Sequence, residues 1–382
     1  MWWMLLLTFL AKGFTYSFSC DDCSNRSLSL KDILPVSYDK MKPPRYKDSP
    51  VKVKVKVSIL NIRSVDEEKQ AIEMDIFFHQ YWFDRRIKVP ATYEEERIVL
   101  DNRWRDSLWI PDTYFKNSIN GNVHNIVIPY TYLVLHNNSE LFMAARLGLT
   151  LNCGMNLASY PHDIQECDIK IMSLLYPINT VILEWKQFQV TKNIFLAQFY
   201  VIGNEYKACN KTYDIGTFSC LEGKVTLQRR LGYYLINRFV PSVLIVVMSF
   251  VTFWIPATAY PARVTLGVTS LLTIVTQQYH NTKFSVSYVI ALNVWMLSCI
   301  AFVFFSLLEY ALVISFLDKQ REIKENNAVA VKQETNNRRP WNGPIVVISH
   351  AKLDKICRVL FPALFVLNSF IYCCFTNIRP IL

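Results

Sequence analysis

The sequence predicts an extracellular all-β sandwich followed by a four-helix transmembrane bundle. Of its 382 residues 52% are hydrophobic and only 19% charged, too apolar for a soluble domain of this size. From Leu28 to Arg230 the chain is a series of short alternating or aromatic and β-branched runs broken by Pro, Gly and Asn, the pattern of a sandwich. Four apolar segments then follow, Tyr233–Ile255, Val264–Gln277, Val286–Phe316 and Ile356–Thr376, each near the ~20 residues that a bilayer helix needs.

The chain opens on an apolar run, Trp2-Trp3-Met4-Leu5-Leu6-Leu7, and becomes polar at Cys20-Asp21-Asp22-Cys23. Residues 1–19 read as a secretory signal, although no basic leader precedes the run. An apolar N-terminal helix is the other reading. Sequons at Asn25, Asn137 and Asn210 all precede the first apolar segment, as expected for glycosylation of a translocated region.

Within 20–231, the predicted extracellular domain, Val51-Lys52-Val53-Lys54-Val55-Lys56-Val57 alternates strictly. Its lysines belong to the wet face of a strand, so the formal charge of +10 does not indicate a nucleic-acid partner. Ile76–Phe83, Ile126–Val134 and Leu147–Leu151 are further strand candidates. Six cysteines, Cys20, Cys23, Cys153, Cys167, Cys209 and Cys220, precede the apolar segments and fit an oxidising compartment. Only Cys20 and Cys23 have zinc-like spacing, and their pairing stays open.

Spans one to three occupy 232–316 and the fourth 354–378. Between them, 317–353 carries Lys319, Arg321, Lys324, Lys332, Arg338 and Arg339, which the positive-inside rule assigns to the cytoplasm. Both termini of a plasma-membrane protein then lie outside, with lipid around the spans. In the second span Thr265, Thr269, Leu272, Thr276, Tyr279 and, beyond it, Lys283 recur at steps of four and three, along one helical stripe. Hydroxyls there either bond back to their own helix or line a water-filled pore. Leu272, the large apolar residue among them, would form a dewetting constriction. Arg263 precedes the stripe with no acid beside it in the sequence, which predicts an entrance for anions, chloride foremost.

Cys153 and Cys167 enclose thirteen residues ending Pro161-His162-Asp163-Ile164-Gln165-Glu166-Cys167. This resembles the signature of the Cys-loop receptors. Trp109-Ile110-Pro111-Asp112, Gly232-Tyr233-Tyr234-Leu235, Pro261-Ala262-Arg263-Val264 and Leu307-Leu308-Glu309-Tyr310-Ala311 extend the likeness over nearly the whole chain. The last three are similar to the glycine, GABA, glutamate and histamine-gated chloride channels.

The resemblance implies a subunit of a pentamer, homomeric or heteromeric, with four further subunits around a central pore and agonist pockets between neighbouring sandwiches. It implies disulfides Cys153–Cys167 and Cys209–Cys220, the latter closing a loop that caps the agonist. It also implies a coupling cluster of Glu67, Tyr160, Pro161, Asp163, Arg229 and Lys283 between sandwich and spans.

The implied pocket comprises Phe77, His79, Ala144, Leu174, Tyr176, Tyr213 and Phe218, and three of these depart from the amino-acid receptors. His79 stands where an arginine holds the agonist carboxylate, and a neutral imidazole is no such fork. Ala144 replaces a small hydroxyl, and Leu174 an aromatic. Phe77, Tyr176, Tyr213 and Phe218 remain as a partial cage for a cation. An amine is thus expected over an amino acid. Protons acting on His79, His124, His136 or His162, or an accessory subunit relying on a partner's pocket, are the other readings. No nucleophile–base pair, metal set or phosphate loop suggests an enzyme or a cofactor.

Overall fold

A computed structural model of the chain describes residues 29–89, 96–192, 194–279, 286–333 and 350–378. The expected signal segment, Asn25, Cys20, Cys23 and Lys283 lie outside these. A short helix, Leu30–Ile33, opens the described chain, with Ser29 and Asp32 forming a reciprocal cap that satisfies free N–H groups.

Eleven strands follow. They are β1 Val51–Asp66, β2 Ala71–Phe83, β3 Arg97–Leu100, β4 Thr113–Phe115, β5 Ser118–Val123 and β6 Thr131–His136, then β7 Glu140–Asn152, β8 Ile164–Ser173, β9 Val181–Val190, β10 Phe199–Tyr213 and β11 Gly216–Arg229. One sheet has the order β3-β6-β7-β2-β1-β9, with β5 also on β7, and the other is β10-β11-β8-β4. In β1 the valines at 51, 53, 55 and 57 are buried while Lys52 and Lys54 are exposed. Period-2 alternation buries one face of a strand. Between the sheets pack Trp82, Trp109, Phe199 and Leu135. Gly223 in β11 is required there, since a Cβ would fall 2.5 Å from Phe188.

Two expectations from the sequence need correction. The strand expected over Ile126–Val134 begins only at Thr131, and Ile126, Val127 and Ile128 are exposed. Pro129 lacks the N–H that a ladder requires. The segment expected as a loop from Leu317 instead continues the third helix, Ala291–Gln333. Its Lys, Glu, Gln and Ala residues are good helix formers, and hydropathy marks the end of an apolar run rather than of a helix.

Gly232–Trp254, Ala291–Lys319 and Leu353–Thr376 are long and apolar enough to cross a membrane. Tyr260–Tyr279 is a 20-residue helix, but it is more polar and does not join them on composition. All four helices pack into one bundle around Val246, Ile274, Trp295, Met296 and Phe365. The first contains a π-helical turn, Leu235–Phe239, just before Pro241, whose missing N–H breaks the regular ladder.

Candidate functional site

The Cys153–Cys167 bridge is present, with its Cα atoms 5.0 Å apart. The loop it closes sits where sandwich meets bundle. Arg229 at the end of β11 is buried there, donating from Nε to Asp163 Oδ1 at 2.7 Å and from Nη2 to Asp163 Oδ2 at 3.0 Å. Its Nη1 donates to Glu67. Burial by itself would lower the Arg229 pKa, but the Asp163 hydrogen bonds outweigh it and hold the value above that of ordinary arginine. Rings of Tyr160 and Phe199 lie 4.6 Å and 4.5 Å from the guanidinium carbon.

Tyr160 Oη donates to Tyr234 Oη at 3.0 Å, joining the loop tip to the first span. Ala291 N and Leu292 N donate to Ala158 O and Tyr160 O at 2.9 Å and 3.1 Å. Carbonyls of the loop therefore cap the N-terminus of the third helix, where free N–H groups need acceptors. Leu157 N donates to Tyr288 Oη at 3.0 Å. Glu67, Tyr160, Asp163 and Arg229 are thus brought together. Tyr234, Tyr288 and the third-helix cap join them, and no spacing in the sequence signals those contacts.

The pocket residues divide between the two sheets. On β2 and β7, Phe77 stacks on His79 at 5.9 Å and His79 packs against Phe142 at 5.5 Å, with Ala144 directly across from His79. Burial, aided by the charges of Lys56 and Lys186, pushes His79 down to about 4. Lys186 Nζ lies 3.4 Å from the centroid of Tyr81 in the same patch. His162 at the junction is also lowered by burial.

On the other sheet the Cys209–Cys220 bridge joins directly paired residues of β10 and β11. Tyr213 and Phe218 meet edge to face at 5.9 Å. Phe218 is only 3% exposed and packs with Met172 and Cys220. Its expected place in an open cage is therefore corrected: it backs Tyr213 from beneath. Tyr176 also serves the sandwich, its ring 6.3 Å from Trp109 and its hydroxyl donating to Met41 O at 3.1 Å. Leu174 and Tyr213 are exposed on this wall. Asn137 and Asn210 are exposed as well.

In Tyr260–Tyr279, Thr265, Thr269, Leu272, Thr276 and Tyr279 are exposed in the single chain, while Gly267, Ser270 and Ile274 are buried against the bundle. A Cβ at Gly267 would lie 3.0 Å from Leu307 Cγ, so this helix approaches the third closely. The threonine hydroxyls donate to their own helix, as from Thr269 Oγ1 to Thr265 O at 2.7 Å. The outward face shows side-chain oxygens around Leu272.

Arg263 does not share that face. It is 2% exposed, and Nη2 donates to Asp354 Oδ2 of the fourth helix at 2.9 Å. Nε donates to Ile255 O at 2.9 Å. The expectation of an unopposed pore-entrance charge is corrected, because an acid distant in sequence folds against this arginine.

Residues 27–231 match the neurotransmitter-gated ion-channel ligand binding domain, and residues 238–345 the neurotransmitter-gated ion-channel transmembrane region. The chain belongs to the neurotransmitter-gated ion-channel family. Members are membrane-spanning Cys-loop receptors with an extracellular ligand-binding domain, and they assemble as pentamers that take small agonists. It is a ligand-gated channel family and not an enzyme family. Within that family the sandwich corresponds to the ligand-binding part and the helical bundle to the channel part.

Proposed function

We propose that the chain is a subunit of a pentameric chloride channel of the plasma membrane, opened by an extracellular ligand bound between neighbouring sandwiches. One observation carries this reading: the polar stripe of Tyr260–Tyr279 is exposed while its opposite face is packed. Five such stripes would enclose a wet pore narrowed at Leu272. Chloride selectivity rests on the absence of Asp or Glu anywhere in this helix and on its N-terminal dipole at the cytoplasmic mouth. Arg263 contributes less than its sequence position suggests, since Asp354 pairs with it. Reversal potentials under ion substitution test the proposal: they follow chloride if it holds and sodium if it fails.

Ligand closure would move the Cys153–Cys167 loop, and Glu67, Tyr160, Pro161, Asp163 and Arg229 would pass that movement to the cap of the third helix. Lys283 belongs to this coupling set by resemblance. Among agonists, amino acids are disfavoured because His79 supplies no carboxylate fork. Taken as rings alone, Phe77 and Tyr213 would suit an amine. It has to share Tyr213 with Lys116, which already donates to that hydroxyl at 2.8 Å. A proton-gated channel would have to rest on a histidine other than His79, which stays neutral near pH 7. Expressing the chain alone separates these from an accessory subunit, which would pass no current without a partner.

A further inference from the structure

Lys116 lies between β4 and β5, and the backbone around it is pinned. Lys116 N donates to Lys170 O at 2.8 Å. The neighbouring Asn117 donates to Asp168 O at 2.7 Å and Asn152 O at 3.1 Å, and accepts from Lys170 N at 3.1 Å. From this anchor the Lys116 ammonium reaches the wall of the capping hairpin. It donates to Tyr213 Oη at 2.8 Å and stands 5.4 Å from the ring centroid, within range of a cation–π contact. Tyr213 is backed by Phe218 and by Met172, towards whose sulfur Tyr114 Oη also points at 3.9 Å.

No ion pair joins Lys116 to a carboxylate among the described residues, Asp214 at the tip of the hairpin included. The wall on the other sheet carries two further cations, with the acid Glu140 beside Tyr81. Lys56 and Lys186 both act on His79, and neither is ion-paired among the described residues. An ammonium ligand placed between such walls meets like charge at both, where the surroundings screen it less than water does. An anion meets complementary charge and a hydrogen-bond donor.

We propose that Lys116 is the pocket's own cation, and that the ligand seated against Tyr213 is a small organic anion without an ammonium group. This inference rests on the reading that the pocket lies between neighbouring sandwiches. It reverses the polarity expected from the amino-acid receptors: the anionic group is held from the hairpin side by Lys116, not from the strand position that His79 occupies.

The test uses the full chain in the membrane of intact cells. Leu174, 60% exposed on the hairpin-side wall, is replaced in Leu174→Cys. The thiol is then modified with a sulfonatoethyl or a trimethylammonioethyl methanethiosulfonate. Rates are corrected for the parent chain, whose exposed Cys373 and Cys374 also carry thiols. The sulfonate reagent is expected to react at least tenfold faster relative to the ammonium reagent than it does when Lys116→Met is added. Equal relative rates with and without Lys116 overturn the proposal. Currents give the second arm. Succinate and propionate, applied at constant chloride, are expected to outperform histamine and tyramine, with Lys116→Met raising the effective acid concentration at least tenfold. Micromolar histamine responses unaffected by Lys116→Met would also overturn it. If Lys116 governs the reagent rates yet modification of Leu174→Cys never alters current, the charge assignment stands and the reading of this wall as a gating site fails.

Discussion

Two arginines with buried side chains, Arg229 at the base of the sandwich and Arg263 at the far end of the helical bundle, look alike by exposure and differ in their company. Arg229 has both neighbouring carboxylates, Asp163 and Glu67, within hydrogen-bonding distance. Arg263 bonds one, Asp354, and the buried Glu309 beside them makes no ion pair with it among the described residues. The first cluster links the sandwich to the spans and stands on a disulfide-closed loop. The second ties the second helix to the fourth. A buried arginine is therefore no statement about the field it creates, because that field depends on what other elements bring against it.

The largest effect is expected at the first cluster. Arg229→Ala leaves Asp163 buried without its cation, a loss of about 3–5 kcal/mol, and should abolish mature surface channels. Thermal unfolding and surface labelling check it, with Arg229→Lys recovering part of the assembly but not the bidentate contact.

Asp354→Asn should cost less, because Ile255 O still accepts from Arg263. Surface labelling should show reduced but measurable channels, and a loss equal to that of Arg229→Ala would erase the distinction between the clusters.

Selectivity sharpens the contrast further. In the double variant Arg263→Gln with Asp354→Asn, both charges vanish together, so neither is left buried without its counter-charge. Reversal potentials should still follow chloride, since the pair is internal to the subunit. A switch towards sodium would return Arg263 to the pore entrance.

Leu272→Thr touches neither cluster. It should wet the constriction, raise resting current and lower the effective agonist concentration several-fold, as read from concentration–response curves.

The smallest effect concerns pH. With His79 lowered to about 4, its protonation, and the stability lost with it as pH falls, belongs to the window between its ordinary value near 6.5 and about 4. His79→Gln should therefore leave any response between pH 8 and 7 unchanged, while removing part of the destabilisation below pH 6.

Much of the architecture was legible in the sequence because it is local. The valine–lysine alternation of β1, the hydroxyl stripe of Tyr260–Tyr279 and the spacing of Cys153 and Cys167 each encode a period or a short loop. Those periods dictate which face is buried without reference to distant residues. Tertiary structure decided the rest, because charge and hydrogen bonding depend on atoms brought together from far along the chain. Asp354 reaches Arg263 across 91 positions, Lys116 reaches Tyr213 across 97, and Leu157 reaches Tyr288 across 131. No periodicity records such meetings. The identity of Arg263 as a cation was plain from the sequence, but whether that charge faces ions or an internal partner was set only when the fourth helix packed against the second.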